Sequence, residues 1–216
     1  MKANALTLAL LVSLPAIASA ATIPPRDECA ASKSYAPITR EIITIAQTRD
    51  TQRLLALIAP DIRLDFGGGE GKALFVETWR LDRGTESPIW AELDKIVRLG
   101  CAVEDDWAAF PRYFVRAPAS GDVFAQYLAV GTGIAMRAAP RTTATQVATL
   151  AWDVVTLVDG DASDDTGNPL TWLRVQRADG MTGYVKADYL RSVTDYRLIV
   201  GMVDGKPLIT HFIAGD

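Results

Sequence analysis

The chain has two textures. Up to about residue 127, apolar positions recur at helical spacing; beyond it they come in short runs broken by turn residues. Over 37–48, Ile38, Ile42, Ile45 and Ala46 predict a helix, and Pro37 suits its first turn. Asp50 caps a second short helix carrying Leu54, Leu55, Leu57 and Ile58, which Pro60 stops. Ile62, Leu64 and Phe66 alternate with Arg63 and Asp65, the mark of a strand, and the glycine-rich run at 67–71 turns the chain. Helical spacing returns over 74–80. It returns again after Ser87-Pro88, where Ile89, Trp90, Leu93, Ile96 and Val97 share a face and Gly100 lies beyond the end. Segments 110–116 and 122–130 read as strands.

In the second texture, strands are expected at 134–137, 146–150, 154–158, 172–176 and 183–186, the spacing of a small barrel. The chain ends in a predicted hairpin. Residues 196–203 run up, Asp204-Gly205-Lys206 turn, and 208–213 run back. The expected architecture is therefore an α+β domain over 21–127, a small all-β barrel over 128–192, and a hairpin over 193–216 that returns to the first domain.

Residues 1–20 read as an export signal. Lys2 is the positive start, Leu6 to Leu14 the apolar stretch, and Ala18-Ser19-Ala20 a cleavage site after Ala20. The apolar stretch is shorter than the roughly 20 residues a bilayer needs. Charges interrupt every later apolar run, so no membrane span is expected in 21–216 and a periplasmic or secreted location is. In an oxidising compartment Cys29 and Cys101 are expected to pair, closing a loop worth roughly 3–4 kcal/mol through the unfolded chain.

Composition removes several functions. With 49% hydrophobic and 22% charged residues, the chain is neither disordered, collagen-like nor coiled-coil. The net charge of −4, or −5 without Lys2, gives no bulk attraction to nucleic acid or anionic lipid. One histidine, His211, and two cysteines cannot build a four-ligand structural zinc site. They leave little for a nucleophile–base pair, and no G-x-S-x-G elbow is present. His211 is expected as a hydrogen-bonded strand residue. Gly67 to Gly71 lacks the phosphate-loop pattern, since Lys72 is followed by Ala73. Asp159, Asp161, Asp164 and Asp165 form an acidic run, but Asp164 and Leu170 stand where a calcium loop needs Gly and Glu. A solvated turn is favoured, with calcium as the alternative. No cofactor, metal or catalytic set is expected. Glu70, Glu77, Glu104, Asp105 and Asp106 keep one enzymatic alternative open, a cell-wall hydrolase with two carboxyl groups about 5–10 Å apart in a cleft.

Residues 134–190 carry a chain of motifs in a fixed order. Ile134-Ala-Met-Arg137-Ala-Ala-Pro140 comes first, then Val147-Ala-Thr-Leu150, Asp153-Val-Val-Thr-Leu-Val158, Trp172-Leu-Arg-Val175, Asp179-Gly180-x-x-Gly183-Tyr184-Val185 and Tyr189-Leu190. Together they resemble the bacterial SH3 family (SH3b), with Ala135 replacing the usual Asn and an insertion at 159–168. The resemblance implies a small binding module for a cell-wall peptide, glycan or envelope protein and implies no chemistry. Trp172 and Val175 are expected to fill the barrel interior. Trp172, Tyr184, Tyr189 and Arg137 are the candidate ligand-binding residues, with core packing as the competing role for the aromatics. Residues 50–67 and 71–79 carry a fainter similarity to NTF2-like α+β domains, which open with a helix pair, a strand and a helix facing a curved sheet. The helix expected at 88–99 departs from that pattern. The predicted function is exported, non-enzymatic binding of a cell-wall component or envelope protein.

Overall fold

A computed structural model describes residues 22–118, 121–158 and 171–215. The expected export signal and the acidic run at 159–168 lie outside the described residues.

Apolar periodicity in the first half becomes a layer of helices. Helix α1 (Ala36–Thr48) buries Ile38, Ile42, Ile45 and Ala46 along one face and carries its proline in the first turn, where a missing N–H costs nothing. The Asp50 carboxylate accepts from the Arg53 N–H at 3.0 Å and caps α2 (Thr51–Leu57). Strand β1 (Ile58–Arg63) follows at once, so Pro60 lies inside a strand rather than stopping the helix. The proline is tolerated because β1 is a sheet edge. Two more helices, α3 (Lys72–Thr78) and α4 (Ile89–Val97), complete the layer.

The segment expected as a strand over 110–116 is split. Strand β2 (Ala102–Val103) pairs with β3 (Trp107–Phe110), and α5 (Arg112–Arg116) follows. Pro111 separates strand from helix, since it has no N–H for the ladder and fits the start of a helix. The 122–130 segment opens with a 3-10 turn capped by Asp122 and becomes strand β4 only over Gln126–Ala129.

Six strands then run β5 (Ile134–Arg137), β6 (Gln146–Leu150), β7 (Val154–Leu157), β8 (Trp172–Gln176), β9 (Thr182–Lys186) and β10 (Leu190–Ser192). The final pair is β11 (Arg197–Val203) and β12 (Lys206–Ile213). Asp204 and Gly205 between them have φ of 49° and 75°, the double positive φ that a tight hairpin turn requires.

These strands make two sheets. The first runs β1-β12-β11-β3-β2, with β12 parallel to β1 and every other neighbour antiparallel. The last two strands of the chain thus sit in the middle of the sheet begun by the first. The helices cover one face, with Ile42, Ile62, Trp90, Leu93, Leu198 and Phe212 in the core. The second sheet is antiparallel, in the order β10-β4-β7-β8-β9-β5-β6, over a core of Met136, Leu150, Val155, Leu173, Val175 and Val185. No closed barrel forms among the described residues, because β10 and β6 remain unpaired edges. Helices with two mostly antiparallel sheets make the chain α+β.

A third apolar cluster joins the two sheets. Leu99 and Tyr113 meet Leu128 and Val193, with Ile23 of the N-terminal arm between them. The arm is held at both ends. The Ile23 N–H donates to the Trp152 carbonyl at 2.8 Å, and Cys29 forms a buried disulfide with Cys101, Cα to Cα 5.6 Å. Glu28 accepts from Arg112 at 2.6 Å and Arg116 at 2.7 Å. The Arg116 contact, the largest influence, holds the Glu28 carboxyl below its usual range.

Candidate functional site

Strand alternation decides which side chains of the second sheet face out. On β5, Ile134 and Met136 are buried, which turns Arg137 outward. On β8, Leu173 and Val175 are buried, which turns Trp172 and Arg174 outward. On β9, Gly183 and Val185 face in and Tyr184 and Lys186 face out. The expectation that Trp172 and Val175 both fill the interior is therefore corrected. Residues three apart on a strand lie on opposite faces, and only Val175 joins the core.

Register brings the outward residues together. Tyr184 lies opposite both Arg137 and Arg174, and Trp172 lies opposite Lys186. Such partners have Cβ atoms roughly 5 Å apart. Gly183 makes the close approach of β9 to β5 possible, since a Cβ there would lie 2.7 Å from Met136 Cγ. Beside this row is a concavity of about 320 Å³ lined by Arg137, Trp172, Lys186 and Tyr189, with Thr132 and Thr142 among the other lining groups. Three of the four candidate binding residues thus share one pocket. Tyr184 occupies the same face but does not line it.

The electrostatics of this pocket are one-sided. Among the described residues, no carboxylate lines it. Arg137 Nη1 donates to the Ala144 carbonyl at 2.9 Å, which fixes the guanidinium without neutralising it. Among the described residues, neither Arg137 nor Lys186 forms an ion pair. Tyr189 is 48% exposed and Trp172 half-buried, so both rings offer apolar surface to a ligand. Lys186 escaped the motif reading, although its place two residues after Tyr184 on a strand gives it the same face.

Two other concavities have different chemistry. A larger one, about 780 Å³, lies between α4 and β10. Its cations are already matched: Lys95 with Glu92 at 3.1 Å, Arg98 with Asp94 at 3.9 Å, and Arg191 with Glu92 at 2.6 Å and Asp195 at 3.3 Å. Arg191 also donates from Nε to the Tyr113 hydroxyl at 2.8 Å, and that hydroxyl donates to the Ser192 carbonyl at 3.1 Å. Burial pushes the Tyr113 phenol far above its usual range, so it stays protonated. This is a structural joint between the sheets.

The third concavity, about 440 Å³ on the first sheet, is lined by Asp106, Trp107, Met202 and His211 among others. His211 Nδ1 lies 3.0 Å from Thr210 Oγ1. Burial first, then the charges of Arg63 and Arg197, hold its pKa below the usual imidazole range. The other hydrolase carboxylates are scattered. Glu70, Glu77 and Asp105 are exposed, and Glu104 is paired with Arg116 at 2.5 Å.

The glycine-rich turn uses its own donors, since Asp65 accepts from the N–H groups of Gly67 at 2.7 Å and Gly69 at 2.8 Å. Among the described residues, the one close group of three metal-type ligands is Asp27 with Cys29 and Cys101, whose sulfurs are spent in the disulfide. No described helix is long and apolar enough to cross a membrane. No family model, curated protein or solved structure matches the chain significantly, so the pocket's own chemistry has to carry the functional reading.

Proposed function

We propose that the chain is an exported binding protein whose SH3b-like second sheet recognises a cell-wall peptide or glycan, or an envelope protein, through the Arg137, Trp172, Lys186 and Tyr189 pocket. The observation that carries this reading is the convergence of two aromatic rings and two cations on a single concavity, with Arg137, Trp172 and Lys186 on the outer face of one sheet and Tyr189 on the turn after β9. Aromatics that served only the core would point the other way. In this reading the SH3b-like sheet is a variant of the family barrel, and the first sheet with its helices is an NTF2-like scaffold. The disulfide supports export, because cysteines pair where the compartment oxidises them.

Binding here costs little ordering. Arg137 is held by the Ala144 carbonyl before any ligand arrives, and the rings of Trp172 and Tyr189 have few torsions to freeze. Sedimentation with purified insoluble peptidoglycan tests the reading. The wild-type chain is expected to be enriched in the pellet, and Trp172→Ala or Tyr189→Ala to lose most of that enrichment. No enrichment of wild type overturns a cell-wall ligand. Clearing of peptidoglycan in a zymogram, abolished by Asp106→Asn, would establish the hydrolase instead.

A further inference from the structure

We infer that this pocket selects a ligand carboxylate, held between Arg137 and Lys186 with its neighbouring apolar atoms on Trp172 and Tyr189. The inference rests on the reading that this pocket is the binding site.

Several of the chain's cations are matched by carboxylates. Arg112 and Arg116 share Glu28, Arg53 pairs with Glu41 at 2.7 Å, Lys95 and Arg191 pair with Glu92, and Arg177 lies 3.5 Å from Asp179. What sets Arg137 and Lys186 apart is that they line the same small space, where among the described residues neither pairs with a carboxylate. Two like charges brought together without an anion repel each other, and a bound anion removes that cost.

The shape narrows the anion. About 320 Å³ is at the lower end for a ligand site and suits a chain terminus or side-chain end rather than a whole polymer unit. Arg137 has one Nη1 bond committed to Ala144, and its remaining N–H donors match the two oxygens of a carboxylate. Lys186 adds a point charge opposite Trp172. The aromatic walls favour an organic acid, with apolar atoms beside the charge, over a free inorganic ion. A peptide or acidic-sugar carboxylate has that composition.

The test uses the full chain labelled with ¹⁵N, with N-acetyl-alanyl-alanine as probe, its C-terminal amide as the neutral match and inorganic phosphate as the inorganic anion. The free acid is expected to shift the Trp172 indole N–H saturably. The amide and phosphate should bind at least tenfold more weakly, since a charge-assisted contact is worth about that factor. Arg137→Ala and Lys186→Gln should each weaken the acid about tenfold, and Lys186→Glu should abolish its binding while the rest of the spectrum stays unchanged. Equal binding of acid and amide overturns the inference. So does equal binding of phosphate, or no shift with any probe. Peptidoglycan sedimentation separates the two claims. Enrichment that survives both substitutions contradicts the carboxylate and leaves the binding reading standing. Loss of wild-type enrichment, with the acid still shifting Trp172, does the reverse.

Discussion

Arg191 and Arg137 belong to the same sheet and have opposite surroundings. Arg191, on the edge strand β10, is 8% exposed and reaches Glu92, Asp195, the Tyr113 hydroxyl and the Tyr196 carbonyl. Arg137, on β5, faces outward, with one carbonyl and, among the described residues, no carboxylate. One guanidinium fastens two sheets together, and the other is positioned and left charged. The difference teaches that burial and pairing, rather than residue type, separate a cation that fastens the fold from one held at the surface.

Stability measurements break the comparison most sharply. Arg191→Met leaves Glu92 buried at the joint with only Lys95 beside it, and a urea melt should show a loss of about 3–5 kcal/mol. Arg137→Ala should cost no more than about 1 kcal/mol in the same melt, as expected away from the core. Equal losses would erase the distinction. Replacing both Cys29 and Cys101 by alanine should cost roughly 3–4 kcal/mol while far-ultraviolet circular dichroism stays unchanged, because the bond acts mainly on the unfolded chain. Trp172→Ala should reverse the pattern. Peptidoglycan sedimentation falls several-fold and the melting midpoint moves little, since the ring lies outside the core cluster.

The smallest effects are those of pH. His211 is held below its usual pKa in the fold, so the unfolded chain takes up the proton first as pH falls. Stability contributed by neutral His211 is therefore present above about pH 6.5 and declines below it. Melts at pH 7.5 and 5.5 should show that decline, and His211→Asn should flatten it. Glu28 is also held low, by Arg116 first. Its contribution is present above pH 4.5 and is lost on further acidification, a loss that Glu28→Gln removes.

Local signals carried much of the fold. Ile38, Ile42 and Ile45 marked α1, Asp50 marked a cap, and Asp204-Gly205 marked the hairpin turn, because each depends on neighbours within a few residues. The misread places depend on distant ones. Tyr113 and Val115 favour a strand locally, yet Pro111 and the burial of Tyr113 between the sheets make that segment a helix. Pro60 enters a strand because β12, about 150 residues further along the chain, supplies the sheet. For the pocket, Arg137, Trp172 and Tyr189 stood in recognisable motifs. Lys186 needed strict alternation along β9 to be seen. Arg191 had no local signal, since its partner Glu92 lies 99 residues away.

The chain's tryptophans report separately on its regions. Trp172 lines the pocket, Trp107 the first-sheet concavity, Trp152 packs at the joint, and Trp79 and Trp90 lie in the first core. The most direct test of the account is therefore one ¹H–¹⁵N spectrum of the indole N–H signals, recorded while soluble peptidoglycan fragments are added. The account predicts that Trp172 moves saturably and the other four stay in place. Movement of Trp107 with Trp172 unmoved, or no movement of any indole signal, would contradict it.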